Sequence, residues 1–409
     1  MSRPGLAQAA VAFRYRNFRV FWIGALLSNT GTWIQNVTVP FVLYELTGSA
    51  AWTGIATFGQ FIPAAVMGPL GGSIADRFHR RSVLLVTQTV MAVLALALWA
   101  LWEAGLARPG VIVAVVAAIG FVGGVNIASW QAFVSELVPR SILLNAVTLN
   151  SAQFNGARAF GPAIGGVVLA TLGPGAAFLI NAISYGCVLI ALALVRVPRV
   201  VAPRTGRAQV FADFADTARY VRRSPGMATC VVVVIAIGLL GSPVFPLIKV
   251  FTDEVFSVGD AAFGLLSAAL GIGAVLGAPI VAGWGSGLPR SRLAGGALVI
   301  YAAALATFAL APAYPVALVA LTVAGGGYLA LASTLNTTLQ LQVDESMRGK
   351  VLALYLMGLT ISFPVGSLIQ GWLADHVGPR PTVAAAAGLL LAVAAWFRFG
   401  NGLLTRLDD

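Results

Sequence analysis

The amino-acid sequence predicts an all-α integral membrane protein with twelve transmembrane helices in two pseudo-symmetric six-helix halves. Hydrophobic residues make up 59% of the 409 residues, charged residues only 10%, and the mean hydropathy is +0.90. Soluble domains carry about 25% charged residues, so this chain lacks the charge to cover a water-exposed surface. The net charge of +11 would indicate nucleic-acid binding in a soluble protein, but here its distribution along the chain indicates membrane topology, and no nucleic-acid partner is expected.

Twelve apolar stretches are each long enough to cross a bilayer, which takes about 20 residues. The predicted spans are residues 18–45, 51–75, 82–104, 110–135, 143–172, 175–196, 227–251, 261–284, 293–312, 315–341, 350–374 and 381–397. Basic residues concentrate in alternate connections, whereas the other connections hold only Arg108 and Arg380 and several acidic residues. Because basic loops stay on the cytoplasmic side, we expect both termini in the cytoplasm and the chain in a bacterial-type inner (plasma) membrane.

A polar interruption near the middle divides the chain. We predict an N-terminal six-helix bundle over residues 1–197, a cytoplasmic linker over 198–225 and a C-terminal six-helix bundle over 226–409. The second part of the linker mixes aromatic and charged residues at helical spacing, which predicts a short amphipathic helix that either lies on the membrane surface or is solvated.

The two halves share a pattern of glycines. Three glycines near the fifth span recur near the eleventh at a constant offset of 205, as the pairs Gly161 and Gly366, Gly166 and Gly371, Gly173 and Gly378. A repeat at about half the chain length is typical of transporters built from two related bundles.

A burst of charge separates the second and third spans and must lie at a membrane surface, because uncompensated charges are costly in hydrocarbon. It contains Gly72, Asp76, Arg77, Arg80 and Arg81. These residues resemble the loop motif of the major facilitator superfamily, although His79 stands where the motif has a second glycine. The resemblance implies that Asp76 is a gating latch at the cytoplasmic face. A loop that only sets topology is the alternative, and it explains the arginines alone.

The fifth span contains a small-residue motif, Gly161, Pro162, Gly165 and Gly166. It resembles the core of the superfamily's antiporter motif, which is found mostly in exporters, although the upstream glycines are missing. Glycine and proline permit close helix approach and a bend. A packing motif that carries no information on transport direction is the alternative.

Three further stretches resemble the subgroup that contains enterobactin exporters and macrolide efflux proteins. They are Glu136–Arg140, Ala218–Pro225 and Asp344–Val351. The resemblance implies proton-driven export and leaves the substrate open. The fourth span departs from it, because it has no basic residue where many antiporters of the superfamily carry an arginine.

Arg158 in the fifth span is the most informative polar residue. Asn155 and Ser151 precede it by about one and two helical turns, so the three share a face. No acidic residue lies at comparable depth in any predicted span. We therefore expect Arg158 in a water-filled cavity, where it attracts an anionic or strongly hydrogen-bonding substrate; a structural clamp on backbone groups is the alternative.

Other polar residues are candidates to line the same cavity. They are Asn29, Thr32, Trp33 and Asn36 in the first span, Asn126 and Trp130 in the fourth, Lys249 in the seventh, and Ser333, Asn336, Thr337 and Gln340 in the tenth. Inter-helix hydrogen bonding is the alternative for these spans, and for Lys249 it is snorkelling to the outer surface.

Enzymatic chemistry finds no support, since the sequence has neither a phosphate-binding loop nor paired metal ligands, and we predict no cofactor or metal. Energy then comes from an ion gradient or from the substrate's own gradient. For proton coupling, the candidate titrating groups are Asp76, Glu45, Asp253 and Asp375. We predict a monomeric, proton-coupled exporter of small amphipathic or anionic compounds, such as a drug or siderophore, that works by alternating access. The alternatives are a lysophospholipid or other lipid transporter, a solute uptake symporter and, from a different class, a membrane receptor or scaffold that transports nothing.

Overall fold

The computed structural model describes residues 10–196, 210–283, 287–400 and 405–408, and within these ranges it contains helices and no strand. The α-helices are α1 (Arg16–Thr47), α2 (Ala50–Arg77), α3 (Arg80–Glu103), α4 (Pro109–Val134), α5 (Leu143–Leu194), α6 (Val210–Arg223), α7 (Pro225–Ala236), α8 (Val244–Val250), α9 (Asp260–Gly283), α10 (Arg290–Leu310), α11 (Tyr314–Gln342), α12 (Arg348–Val377) and α13 (Pro379–Ala395). Short 3-10 turns occupy Val11–Arg14, Arg140–Ile142 and Thr405–Leu407, and π-helical turns occupy Ile237–Gly241, Phe251–Val255 and Trp396–Gly400.

The helices agree with the predicted spans. Among the described residues, nine helical stretches are long and apolar enough to cross a membrane, while α1 and α2 cover the first two predicted spans. One of the nine, Arg140–Leu194, has 55 residues and contains both the fifth and the sixth predicted span. The all-α membrane architecture is therefore confirmed, and the helices are consistent with twelve spans.

Two Gly-Pro steps break the helical backbone at equivalent positions of the repeat. Gly173 breaks α5 with φ 79° and ψ 177°, and Gly378 separates α12 from α13 with φ 90° and ψ 156°. Side chains other than hydrogen clash at these angles. In each case the next residue is proline, which fits the first turn of the following helix because it needs no intrahelical donor there. The constant glycine offset thus marks the same chain reversal twice.

The seventh predicted span is the most irregular, since α7 and α8 are joined and extended by the first two π turns. Pro243 has no backbone N–H, so the carbonyl of Leu239, four residues earlier, lacks its helical donor. The side-chain amide of Gln370 supplies one instead, with Nε2 at 3.0 Å from the Leu239 oxygen and 2.9 Å from the Leu240 oxygen. The irregular backbone is therefore satisfied by a neighbouring helix.

Two compact units make up the described chain. The first contains residues 10–38 and 62–196, and the second contains residues 39–61 and 210–408. In the first, Phe21 packs against Trp130 and Phe133 with ring centroids 4.7 and 5.3 Å apart. In the second, the rings of Phe251 and Phe308 lie 4.4 Å apart. The predicted bundles 1–197 and 226–409 stay a prediction.

Helix α6 lies where the sequence predicts the short amphipathic helix. Thr217 and Val221 are buried, and the Tyr220 hydroxyl donates to Asp344 Oδ2 at 2.8 Å. A hydrogen bond from the Asp344 amide lowers the pKa of Tyr220, but desolvation and the Asp344 carboxylate outweigh it and raise the pKa above its ordinary value. This helix is thus attached to the second unit. Residues 198–209 of the predicted linker lie outside the described residues.

Candidate functional site

In the first unit, the predicted cavity residues of α1 lie on one half-buried face. Asn29, Thr32, Trp33 and Asn36 are all partly exposed. The Thr32 hydroxyl donates to the Ser28 carbonyl at 3.0 Å and lies 3.4 Å from the Tyr185 hydroxyl. The face therefore combines hydroxyl, amide and indole groups along two helical turns.

The polar face of α5 is more open. Ser151, Asn155 and Arg158 are exposed in the middle of a membrane-length helix, and the Asn155 amide donates to the Ser151 carbonyl at 2.9 Å. The guanidinium carbon of Arg158 lies 5.6 Å from the centroid of the Trp33 ring, within the range of a cation–π contact. The faces of α1 and α5 thus meet at Arg158 and Trp33.

The packing motif of α5 explains how these two faces come together. A side chain at Gly161 would collide with Cβ of Trp33, and one at Gly165 would lie 3.2 Å from the Ile34 Cα. Pro162 and Gly166 are buried as well. Small residues therefore let α5 approach α1 closely at the level of the polar face.

Asn126 and Trp130 of α4 behave differently, because both are buried. The Asn126 Oδ1 accepts hydrogen bonds from Thr87 Oγ1 at 2.9 Å and Gln88 Nε2 at 3.1 Å, and the Trp130 Nε1 donates to Asn150 Oδ1 at 3.3 Å. This geometry is that of inter-helix hydrogen bonding, the alternative that the sequence left open.

In the second unit, α11 carries a polar face of its own. Ser333, Thr337 and Gln340 are exposed and Asn336 is half-buried, with the Gln340 amide donating to Asn336 Oδ1. Exposed polar groups along a spanning helix are penalised against lipid, so this face is suited to water or a polar ligand.

Lys249 was predicted in the cavity, but the structure places its ammonium in a group of carboxylates. Nζ lies 2.6 Å from Glu45 Oε1, 3.0 Å from Asp253 Oδ2 and 2.9 Å from Asp260 Oδ1, and its side chain is only 4% exposed. We call these four residues the Lys249 cluster. Asp260 was not among the sequence candidates, although an acidic residue in the first turn of a helix next to a span with a buried lysine was a usable signal.

Arginines of the charged loop between α2 and α3 contact the C-terminal ends of α4 and α5. Arg80 Nη1 lies 2.8 Å from Glu136 Oε1 and 3.5 Å from the Ala132 carbonyl near the end of α4. Arg81 donates from Nε and Nη2 to the Leu192 and Ala193 carbonyls near the end of α5, at 2.7 and 3.1 Å. Cations at helix C-termini complement the helix dipole, so these arginines have structural partners beyond their effect on topology.

The other residues of the loop motif contribute less to the described contacts. Gly72 is half-buried and Arg77 is exposed. The Asp76 side chain lies outside the described residues, so the latch stays a prediction.

Asp375 of α12 caps the N-terminus of α2. Asp375 Oδ1 accepts from the Ala50 amide at 2.6 Å, and Oδ2 accepts from the Ala51 amide at 3.1 Å and from the Ser49 hydroxyl. A carboxylate at a helix N-terminus satisfies free N–H groups and the positive end of the dipole. This contact joins α12 to the start of α2 in the second unit.

Comparison with known proteins places the fold and the family. Residues 7–402 match the family described as transmembrane secretion effector. The multidrug efflux pump Tap of Mycolicibacterium fortuitum is 28% identical over 386 residues, covering 91% of this chain and 93% of that protein. The enterobactin exporter EntS of Escherichia coli O1:K1 / APEC is 25% identical over 395 residues, covering 91% and 89%.

A solved structure shares the architecture. A bacterial homolog of the human lysosomal transporter Spinster, in an inward-facing and unoccupied conformation, superposes with a TM-score of 0.75 at 15% identity, covering 97% of this chain and 98% of that one. Since the family match extends over nearly the whole sequence, the chain belongs to the transmembrane secretion effector family of the major facilitator superfamily, whose members are membrane transporters and not enzymes.

Proposed function

We propose that this protein is a proton-coupled exporter of small amphipathic or anionic compounds, such as a drug or a siderophore, and that it works by alternating access. The relatives support this direction of transport, because one is a multidrug efflux pump and another an enterobactin exporter. The proposal further includes a monomer in the inner membrane with both termini in the cytoplasm, as the distribution of basic residues favours.

The observation that carries the proposal is the exposed Arg158 on α5. A charged side chain at the centre of a spanning helix costs about 2.5–3.5 kcal/mol or more in hydrocarbon, so an exposed guanidinium on such a helix is favourable in polar surroundings and not against acyl chains. The Trp33 ring at 5.6 Å supplies an apolar and aromatic surface beside it. A cation next to an indole suits an amphipathic anion, whose charge binds the guanidinium while its apolar part packs on the ring.

We propose that the other polar groups of α1 and α5 add hydrogen bonds to the substrate. Ser151 and Asn155 are exposed and Thr32 is half-buried, and these side chains offer hydroxyl and amide groups. Such groups adapt to different ligands because hydroxyls both donate and accept. A broad substrate range follows from few charges and many adaptable polar contacts.

The test uses iron-free enterobactin as the probe, in cells that lack their own exporter of it. Wild-type protein should lower the intracellular amount, and Arg158→Ala should weaken export about 10- to 100-fold, the equivalent of one charge-assisted hydrogen bond of about 1.5–3 kcal/mol. Arg158→Lys should keep part of the activity because the charge remains. Arg222→Ala, which changes an exposed arginine of α6, is the matched control and should export normally.

Several outcomes would contradict the proposal. Normal export by Arg158→Ala would remove this residue from the substrate site. Movement of a fluorescent lysophospholipid in place of enterobactin and drugs would replace the substrate class with lipid. Probe-driven proton flux in proteoliposomes checks the coupling separately, and transport without proton movement would refute it.

A further inference from the structure

The Lys249 cluster connects three separate segments of the second unit. Glu45 lies near the end of α1, Asp253 in the π turn Phe251–Val255, and Asp260 at the start of α9. The ammonium has three N–H donors, and each has a carboxylate oxygen within 3.0 Å. The Phe41 ring, with its centroid 4.3 Å from Nζ, covers another side of the ammonium. The position that a metal ion would take among these carboxylates is therefore filled.

The cluster carries more negative than positive charge. Three carboxylates against one ammonium leave a formal charge of −2, and any two of the three oxygens lie within about 6 Å of each other, where like charges repel. Two further acids contact the chain near the end of α1: Glu254, which accepts from the Tyr44 hydroxyl at 2.7 Å, and Asp375, which accepts from the Ala50 amide at the start of α2. The surroundings thus favour uptake of a cation, and the smallest available cation is a proton.

The three ion pairs of Lys249 connect different parts of the chain. Asp253 follows it by one helical turn and Asp260 begins the next helix, so these two pairs hold together a continuous stretch of chain. Glu45 comes from α1, and its pair is the one that joins α1 to Lys249. If Glu45 takes up a proton, the ammonium keeps two carboxylates and stays compensated, while the ionic link to α1 is lost.

Glu45 is accessible to water, which proton uptake requires. Its side chain is 45% exposed and that of Asp260 is 47% exposed, whereas that of Lys249 is 4% exposed, so what distinguishes Glu45 from Asp260 is its place on α1 and not its exposure. A proton from water therefore reaches the carboxylate without disturbing the buried ammonium. Other contacts of this part of α1 are the Phe41–Lys249 cation–π contact, the Phe41–Phe263 ring pair at 5.2 Å and the Tyr44–Glu254 hydrogen bond, and none of these three is an ion pair.

We propose that the Lys249 cluster is a proton-binding site in which Glu45 is the acceptor, and that its protonation loosens the end of α1 from α8 and α9. In the step, one proton from water binds the Glu45 carboxylate to give the neutral acid, and the formal charge of the cluster changes from −2 to −1. The inference rests on the proposed function in one respect, since it supplies the titrating group that proton-coupled export requires.

The experiment measures the separation of α1 and α9 with spin labels in the purified protein, reconstituted in lipid nanodiscs without substrate. Labels are attached at Leu46→Cys and Ala261→Cys, two exposed positions, after Cys187→Ala and Cys230→Ala remove the native thiols. Wild-type protein should give a short distance at pH 8 and a shift to longer distances at pH 5.

The variants separate Glu45 from a general loss of negative charge. Glu45→Gln should give the long distance at both pH values and lose the pH response. Asp260→Asn should keep the response, because Glu45 remains available. Glu103→Gln, which changes an exposed carboxylate at the end of α3 outside the cluster, should match wild type.

Equal distances at pH 8 and pH 5 in wild-type protein would overturn the proposal without any variant, and so would a pH response that survives in Glu45→Gln. Because no substrate is present, the outcome is independent of the export assay. A pH response in a protein that exports nothing would contradict the proposed function and leave the proton site standing.

Discussion

Replacing Arg80 by methionine is expected to lower the free energy of unfolding by about 3 kcal/mol, the low end of the range for breaking a buried ion pair from one side. The pair with Glu136 is short, at 2.8 Å, and its side chains are 23% and 11% exposed. Loss of the guanidinium leaves a mostly buried carboxylate without its countercharge. The partial exposure of Arg80 is why the low end of the range applies.

Removing the other partner of the ion pair should lower the free energy of unfolding less. Glu136→Gln leaves the Arg80 guanidinium close to the Ala132 carbonyl, where the C-terminal end of the α4 dipole favours a cation. We therefore expect a loss of only about 1–2 kcal/mol for Glu136→Gln. Arg77 is exposed in the same loop, so Arg77→Met should change stability by no more than about 0.5 kcal/mol.

The measurement is equilibrium unfolding of the purified protein in detergent, followed by tryptophan fluorescence for the three single variants and the double variant. The double variant Arg80→Met, Glu136→Gln should be more stable than Arg80→Met alone, because it buries no uncompensated carboxylate. If Arg80→Met proves as stable as Arg77→Met, the ion pair contributes nothing, and the loop arginines act on topology alone.

Three further predictions concern other contacts. Asp76→Asn should slow turnover more than it weakens substrate binding, and a change in the substrate Kd alone would refute the latch. Gly371→Val should reduce the amount of folded protein in size-exclusion chromatography, because a Cβ there would lie 2.7 Å from the Ala50 carbonyl oxygen. Gly388→Val is the control and should fold normally, because a Cβ at Gly388 would have nothing within 4 Å. Slight burial raises the pKa of Asp408, but hydrogen bonds from the first turn of α10 outweigh that effect and lower the pKa below its ordinary value. The stabilisation that the Asp408 carboxylate gives to α10 is therefore lost only as the pH falls through that lowered value. Asp408→Asn should speed hydrogen exchange at the start of α10 by the same factor at pH 7 and at pH 5.

The C-terminal segment shows why some of these contacts could not be predicted from the sequence. Asp408 Oδ1 accepts from the Ser291 amide at 3.0 Å, and the Leu407 carbonyl accepts from Arg290 at 3.3 Å. Arg290 begins α10 as Arg80 begins α3. The sequence shows where each arginine lies but not which group it contacts, since a backbone carbonyl acceptor has no sequence signature.

Membrane insertion, the helical spans and their breaks at Gly173 and Gly378 were determined by the sequence alone. These features depend on local quantities, namely hydropathy over about 20 residues and backbone angles that only glycine adopts. The tertiary structure decided what the polar residues do. Lys249 pairs with Glu45 of α1, and Asn126 bonds to α3. Both contacts join residues that are distant in the chain, so only the packing of the helices sets which side chains meet.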